Sequence, residues 1–387
     1  MRFPEFTEPW ETAKLGAIAE FSKGTGISKE QRSETGLPCI LYGELYTTYT
    51  NEVIEDVVSK TDLDPTDLVK SQKNDVIIPS SGETAEDIAT ARCVTSDNVL
   101  LGGDLNIIRL VEPNDGRFMS YQLNGIRKYD IAKIAQGVSV VHLYGGDLKM
   151  LSVTFPQSPE QKKIADCISL LDRRISVQSG LIEKLESLIS GITLIISKSN
   201  DCESVRLSEL LTERNEVNTA QYEVYSVSVS QGVVNQVDYL GRSFAAKDTS
   251  NYNVVHYGDI VYTKSPTGDF PYGIVKRSGQ TDPVAVSPLY GVYKPASNEI
   301  GCFLHYYFCN PVSAKNYLHK LIQKGAKNTI NITNQRFLEN TIKVPKAEKL
   351  TIVVKLLNQI SAKKQHAEEL LKYYRKQKQY LLSQMFI

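Results

Sequence analysis

Apolar residues recur at alternating spacings of four and three between Pro159 and Ile196. They fall at Ile164, Ile168, Leu171, Ile175, Ile182, Leu185, Ile189, Ile192 and Ile196, with Gln178 filling the remaining position. No proline or charge lies on this seam. A heptad stripe held without drift predicts a long helix in a coiled coil. Pro159 and Glu160 suit its first turn, where a missing N–H costs nothing and a carboxylate meets the positive helix end. At 1.5 Å per residue the helix would run roughly 55 Å, too long to be buried in one compact domain. The alternative is an amphipathic helix lying on a globular core.

A partner helix is found in the same chain. A shift of 189 residues (353 − 164) carries the seam onto Val353, Leu357, Ile360, Lys364, Ala367, Leu371, Tyr374, Lys378, Leu381 and Met385. The flanks agree, since Leu148-Lys149-Met150-Leu151 leading to Pro156 matches Phe337-Leu338-Glu339-Asn340 leading to Pro345. With a shift of 184 (258 − 74), Asn74-Asp75-Val76-Ile77-Ile78 matches Gly258-Asp259-Ile260-Val261-Tyr262. Each copy opens on a similar phrase, Lys14-Leu15-Gly16-Ala17-Ile18 and Arg206-Leu207-Ser208-Glu209-Leu210. The chain therefore reads as a tandem repeat, and a repeat decides the architecture. The expectation is an α+β chain with two repeat-related globular domains, 1–157 and 201–345. Two long-helix segments, 158–200 and 346–387, separate them as a spacer.

Within the first domain, short β-rich runs occur at 39–42, 75–79, 99–103 and 106–111, and a helical period runs from Phe118 to Ile134. In the second, strand candidates lie at 224–230, 259–264 and 289–295, with a helix from Phe303 to Gln323. The polar stretch 197–204 connects the copies.

Composition changes this picture in two places. Lys+Arg and Asp+Glu both number 44, so net charge is zero, but the distribution is uneven. Residues 44–104 hold thirteen acids against four bases, and 324–387 hold four acids against thirteen bases. A polyanion would be gripped by the second region and repelled by much of the first, unless both runs are merely solvated faces. Fifteen of 21 tyrosines lie beyond residue 200, which suits a recognition surface and equally an ordinary sheet. The six cysteines form no CxxC pair, so neither a zinc site nor a disulfide framework is indicated. With no apolar N-terminal run and no apolar stretch near the roughly 18 residues needed to span a bilayer, a soluble cytoplasmic protein is expected.

Catalytic machinery is not evident in the motifs. Gly24-Thr25-Gly26 lacks the P-loop lysine and reads as a turn, and the five histidines are scattered. Asn310-Pro311-Val312-Ser313 shares two residues with the Asn-Pro-Pro-aromatic loop of adenine methyltransferases, but without the aromatic it reads as a helix interruption. No catalytic residue and no metal site is expected.

The phrases closing each copy resemble the specificity subunit of type I restriction-modification systems. In the first copy these are Gln136-Gly137, Leu148-Lys149, Pro156 to Ala165 (PQSPEQKKIA), Leu170-Leu171-Asp172 and Ile175. In the second, Lys324-Gly325, Asn328 to Thr333 and Pro345 hold the corresponding places, but Lys349-Leu350-Thr351 replaces the Glu-Gln phrase. The resemblance implies two target recognition domains, each reading one half of a bipartite DNA sequence, held apart by antiparallel helices. It implies two methyltransferase (M) subunits and restriction/translocase (R) subunits as partners. S-adenosylmethionine, ATP and Mg would belong to those partners, with no cofactor in this chain. The two seam lysines would then face solvent through a register shift, or point toward a partner subunit or DNA.

Two loop pairs are the candidate DNA contacts. Ser80, Ser81, Gly82 and Thr84 follow a strand, as do Lys264, Ser265, Thr267 and Gly268. Gln136, Gly137, Ser139 and His142 correspond to Lys324, Gly325, Lys327, Asn328 and Asn331. Small hydroxyl residues with glycine allow close approach to phosphate, and amides and lysines read bases or phosphates. The competing function is a coiled-coil adaptor whose globular ends bind proteins.

Overall fold

The computed structural model describes residues 2–137, 139–324 and 330–386. It divides into two compact units, Met1–Ser179 with Glu369–Ile387, and Gly180–Glu368. Each unit therefore holds one globular part and a portion of both long helices.

In the first unit a five-stranded sheet runs in the order Ala19–Lys23, Leu105–Leu110, Asp75–Pro79, Arg92–Val94, Val53–Ile54. Its central strand, Asp75–Pro79, is buried along its whole length, as an apolar run without alternation requires. Helix Gly116–Asn124 lies behind it, with the Asp115 side chain accepting from the N–H groups of Arg117 and Phe118 at its start. A separate antiparallel pair, Glu11–Lys14 with Ser152–Phe155, leads into the first long helix, Ser158–Lys198.

The second unit repeats this plan. Its sheet runs Leu211–Glu213, Gly291–Pro295, Ile260–Thr263, Ile274–Arg277, and Cys202–Arg206 pairs with Thr341–Pro345 before the second long helix, Ala347–Gln384. The correspondence reaches single atoms. Asn74 and Gly258 both adopt positive φ, 82° and 87°. Their N–H groups donate to Val94 O and Ser278 O, each at 2.9 Å. The next residue in each copy is a buried aspartate that accepts from a backbone N–H three residues back, Gln72 or His256, at 2.8 Å in both cases. A guanidinium fork closes each turn. Arg109 meets Asp75 at 2.9 and 2.8 Å, and Arg214 meets Asp259 at 2.7 and 3.0 Å.

Two expected helices are broken. The period from Phe118 to Ile134 becomes Gly116–Asn124 and Lys128–Ile134. Gly125 marks the break, where a Cβ would lie 3.0 Å from Tyr121 O. The period from Phe303 to Gln323 becomes Asn298–Cys309 and Pro311–His319. There Asn310 caps the second helix through Ser313 N, and Pro311 fills its first turn.

The Glu-Gln phrase of the first long helix is an anchor. Glu160 is 1% exposed and accepts from Arg2 Nη2 at 2.7 Å and Trp10 Nε1 at 3.4 Å. Gln161 accepts from Asp115 N at 2.9 Å and donates to Pro156 O at 2.8 Å, tying the helix to the loop that starts Gly116–Asn124. In the second copy Leu350 is simply buried in the apolar core, and Lys349 pairs at the surface with Asp201.

The seam positions face inward in both helices. Ile164, Ile168 and Leu171 are buried, and Ile175, Ile182, Leu185 and Ile189 are half-buried. On the other helix Leu357, Ile360 and Ala367 are buried, and Val353, Leu371, Tyr374 and Leu381 are half-buried. In the first unit Ile164 and Ile168 share a core with Met385 and Phe386, and Asp172 meets Lys378. In the second, Ile196 shares a core with Val353, and Glu186 meets Lys364. As one index rises the other falls, so the pairing is antiparallel. The seam lysines take neither expected course. Lys364 Nζ sits 2.8 Å from Glu186 and 3.3 Å from Glu368. Lys378 Nζ reaches Asp172 at 2.6 Å and also bonds Glu52. Carboxylates within reach keep them on the seam, because an ammonium that leaves water must be paired.

No described helix is long and apolar enough to cross a membrane.

Candidate nucleic-acid interface

In the first unit the two candidate loops form one surface. Ser81–Gly82 pairs antiparallel with Val141–His142, and a bridge joins Gln136 to His142. Ser80 lies at the base, mostly buried, with its N–H on Asp104 O at 2.7 Å and its carbonyl accepting from Leu143 N at 3.0 Å. Gly82 is buried where the strand passes Ile88. Thr84 caps the short helix Ala85–Ile88 by accepting from Asp87 N at 3.1 Å. Its hydroxyl is committed to that turn.

The exposed part of this surface is Gln136, Gly137, Ser139 and His142. Gly137 needs its freedom, with φ of 123° and a would-be Cβ 2.1 Å from Val140 O. Gln136 Nε2 donates to Asp147 Oδ2 at 3.2 Å. The His142 ring stacks on Tyr144 at 6.3 Å between centroids. Tyr144 and Val140 are 49% and 53% exposed, so the tip presents two apolar side chains missing from the expected set. Their signal was their position beside the nominated Ser139 and His142, in a segment too short for a core element. Glu83 and Glu86 are also exposed here, so a phosphate would approach along the 136–142 side.

A second concavity of the first unit was missed. A groove of about 850 Å³ is lined by Ser28, Lys29, Arg32, Tyr42, Thr47 and Gly103, among others. Beside it Gly24 approaches the chain so closely that a Cβ would sit 2.0 Å from Gly102 O. The turn expected at Gly24-Thr25-Gly26 is thus a close crossing of the chain. The acidic run 44–104 is also less exposed than its composition implies. Glu44, Glu52 and Asp75 are buried and paired, leaving a weaker surface field.

In the second unit Ser265, Thr267 and Gly268 are exposed and Lys264 is half-buried. Thr267 and Phe270 exchange backbone hydrogen bonds at 3.2 and 2.8 Å, with Gly268 at φ 45° between them. Lys324 and Asn331 lie in a short pair, Gln323–Lys324 with Ile330–Asn331. Gly325, Lys327 and Asn328 lie outside the described residues. Tyr272, just past the first loop, meets the His319 ring at 5.7 Å, at the end of the helix that leads to Gln323.

Residues 7–187 match the family model of the type I restriction modification DNA specificity domain. Over this stretch, a little under half of the chain, the first copy is similar to that domain. The chain is also similar over its whole length to the crystal structure of the type I restriction-modification system S subunit from M. genitalium. That likeness has a TM-score of 0.65 at 16% identity, covering 100% of this chain and 99% of the other. A chain from work on complex assembly and conformational transition of the type I R-M system matches with a TM-score of 0.52 at 14% identity, over 98% and 97% of the two chains. At these identities the likeness is one of fold. A search of curated protein sequences returns no match. The specificity-subunit fold, two globular parts with two long helices, is therefore the frame in which both loop surfaces stand. Among the described residues no group of three or more His, Cys, Asp or Glu is placed to hold a metal ion.

Proposed function

We propose that this chain is the sequence-specific DNA-recognition subunit of a type I restriction-modification complex. The observation that carries the reading is the specificity-family match over residues 7–187 together with the S-subunit fold across the chain. Residues 1–157 and 201–345 act as two target recognition domains. They differ in sequence, so the target is asymmetric: two unlike short words around an unread gap. The chain performs no chemistry. It directs two M subunits and the R subunits, which bring S-adenosylmethionine, ATP and Mg.

Contacts to DNA come from the two loop surfaces. In the first domain these are Ser81, Gln136, Gly137, Ser139 and His142, on a base formed by the buried Ser80 and Gly82 and the helix-capping Thr84. In the second they are Lys264, Ser265, Thr267, Gly268, Lys324, Gly325, Lys327, Asn328 and Asn331. Lysines and backbone N–H groups set register on phosphates, and amides reach base edges. Protein partners have apolar surface available on the first long helix. Leu170 and Val177 are 61% and 72% exposed in the first unit, and Leu181 and Ile195 are 43% and 72% exposed in the second. Exposed aliphatics on that scale suit a protein interface.

A gel shift on genomic fragments with the methyltransferase present, across a salt series, tests the reading. Binding that weakens with salt but keeps a sequence preference supports it. Binding of proteins with no sequence preference on DNA supports the adaptor instead.

A further inference from the structure

The second unit carries a thiol in surroundings that DNA recognition does not explain. Cys309 ends helix Asn298–Cys309 and lines a groove of about 990 Å³. Lys276 Nζ approaches its Sγ to 3.2 Å. Lys276 is 5% exposed, so its ammonium is nearly removed from water with a sulfur as its described partner. A buried ammonium against a neutral thiol is costly, whereas against a thiolate it is a matched pair. The His305 ring adds a donor. Its Nδ1 accepts from Arg277 N at 3.3 Å, which leaves the proton on Nε2, and Nε2 lies 3.7 Å from Sγ.

We infer that Cys309 is a nucleophilic thiolate and the site at which soft electrophiles and hydroperoxides modify this chain. Thiolate chemistry requires charge partners and access together, and here the sulfur borders an open groove beside a fixed cation. Burial pushes the thiol up, and His305 and Lys276 outweigh it, bringing the thiol down to about 6. A second thiol on the groove, Cys302, is buried at 7% exposure, and the charged groups there are engaged with one another or with neighbours. Lys364 is held by Glu186 and Glu368, Arg277 donates to Asn298 Oδ1 at 2.7 Å, and Tyr306 donates to Asn358 at 2.9 Å. With a hydroperoxide, the sulfur attacks the distal oxygen, an S–O bond forms and the O–O bond breaks. Sulfur gives up two electrons, and the departing hydroxide or alkoxide takes a proton. The product is a sulfenic acid.

The test uses the full chain, pulsed with iodoacetamide from pH 5 to 9 and mapped by mass spectrometry at all six cysteines. Cys167 and Cys202, both half-buried, are internal references. At pH 6.5 Cys309 is expected to label first, about fivefold faster than an ordinary thiol, since its larger thiolate fraction outweighs its lower intrinsic nucleophilicity. Its rate should reach half-maximum below pH 7.5, and His305→Gln should move that midpoint upward. After peroxide, dimedone should be captured at Cys309. Labelling no faster than Cys167 and Cys202 at pH 6.5, or a midpoint above 7.5, overturns the inference.

Discussion

At the scale of single residues, most decisions are about charge that has left water. Lys378 is held between Asp172 and Glu52, and Tyr121 donates to the same Asp172 at 2.7 Å. Burial raises the Asp172 carboxyl, and the ammonium opposes that rise. Lys378→Met would leave two buried carboxylates uncompensated. It should destabilise the first unit by about 3–5 kcal/mol, read by urea denaturation. The repeated turn offers a milder contrast. Gly258→Ala places a Cβ at positive φ, 3.3 Å from Arg277 Nη2, and should cost about 1–2 kcal/mol. Asn74→Gly, at the same turn in the first copy, relieves the positive φ but removes the Asn74 side-chain bonds with Gly116 N and Asn114 O, and should cost about 1–3 kcal/mol, read by urea denaturation.

At the scale of elements, the two long helices join to their domains by different chemistry at matched places. Tyr121 reaches Ser169 and Asp172, and Tyr306 reaches Asn358; 169 + 189 = 358, so one contact recurs in both copies. The start of each helix has diverged, from a hydrogen-bonded Gln161 to an apolar Leu350. Gln161→Ala removes the acceptor of a buried N–H and should cost about 1–3 kcal/mol. The seam gives a cleaner comparison. Leu357 is fully buried and Leu181 is 43% exposed. Leu357→Ala should lose about 2–5 kcal/mol, and Leu181→Ala should leave stability almost unchanged while weakening association with a partner subunit. Matching losses in thermal melts would remove the distinction between seam and outer face.

At the scale of the whole molecule, the expected behaviour is modular. Exchanging residues 1–157 for the equivalent domain of another specificity subunit should change one half of the methylated motif and leave the other intact. Methylome sequencing of a host carrying the chimera reads this directly, and a change in both halves refutes independent domains. Adding one heptad to each helix should lengthen the unread gap, by roughly 10 Å at 1.5 Å per residue, without altering either word.

Much of this architecture was legible because it is periodic. The heptad of Ile164 to Ile196 and its echo from Val353 onward needed only spacing, since a helix repeats its environment every few residues. The buried strand Asp75–Pro79 was readable as a short unbroken apolar run, and the repeat that aligns Asp75 with Asp259 by its fixed shift. The break at Gly125 was misread because the apolar period continues through it and only crowding ends the hydrogen-bonded turns, whereas the interruption read at Asn310-Pro311 is where the second helix divides, with Asn310 capping the new start. The candidate loops could be named one by one, yet their union is tertiary, through the pairing of Ser81–Gly82 with Val141–His142. The same holds for Glu52 with Lys378, 326 residues apart, and for Lys276 with Cys309. Sequence alone determined the repeat, the helices and their inward faces, because those follow from which residues avoid water at regular intervals. The tertiary structure alone decided which charges face one another, because an ion pair depends on distance in space and leaves no period along the chain.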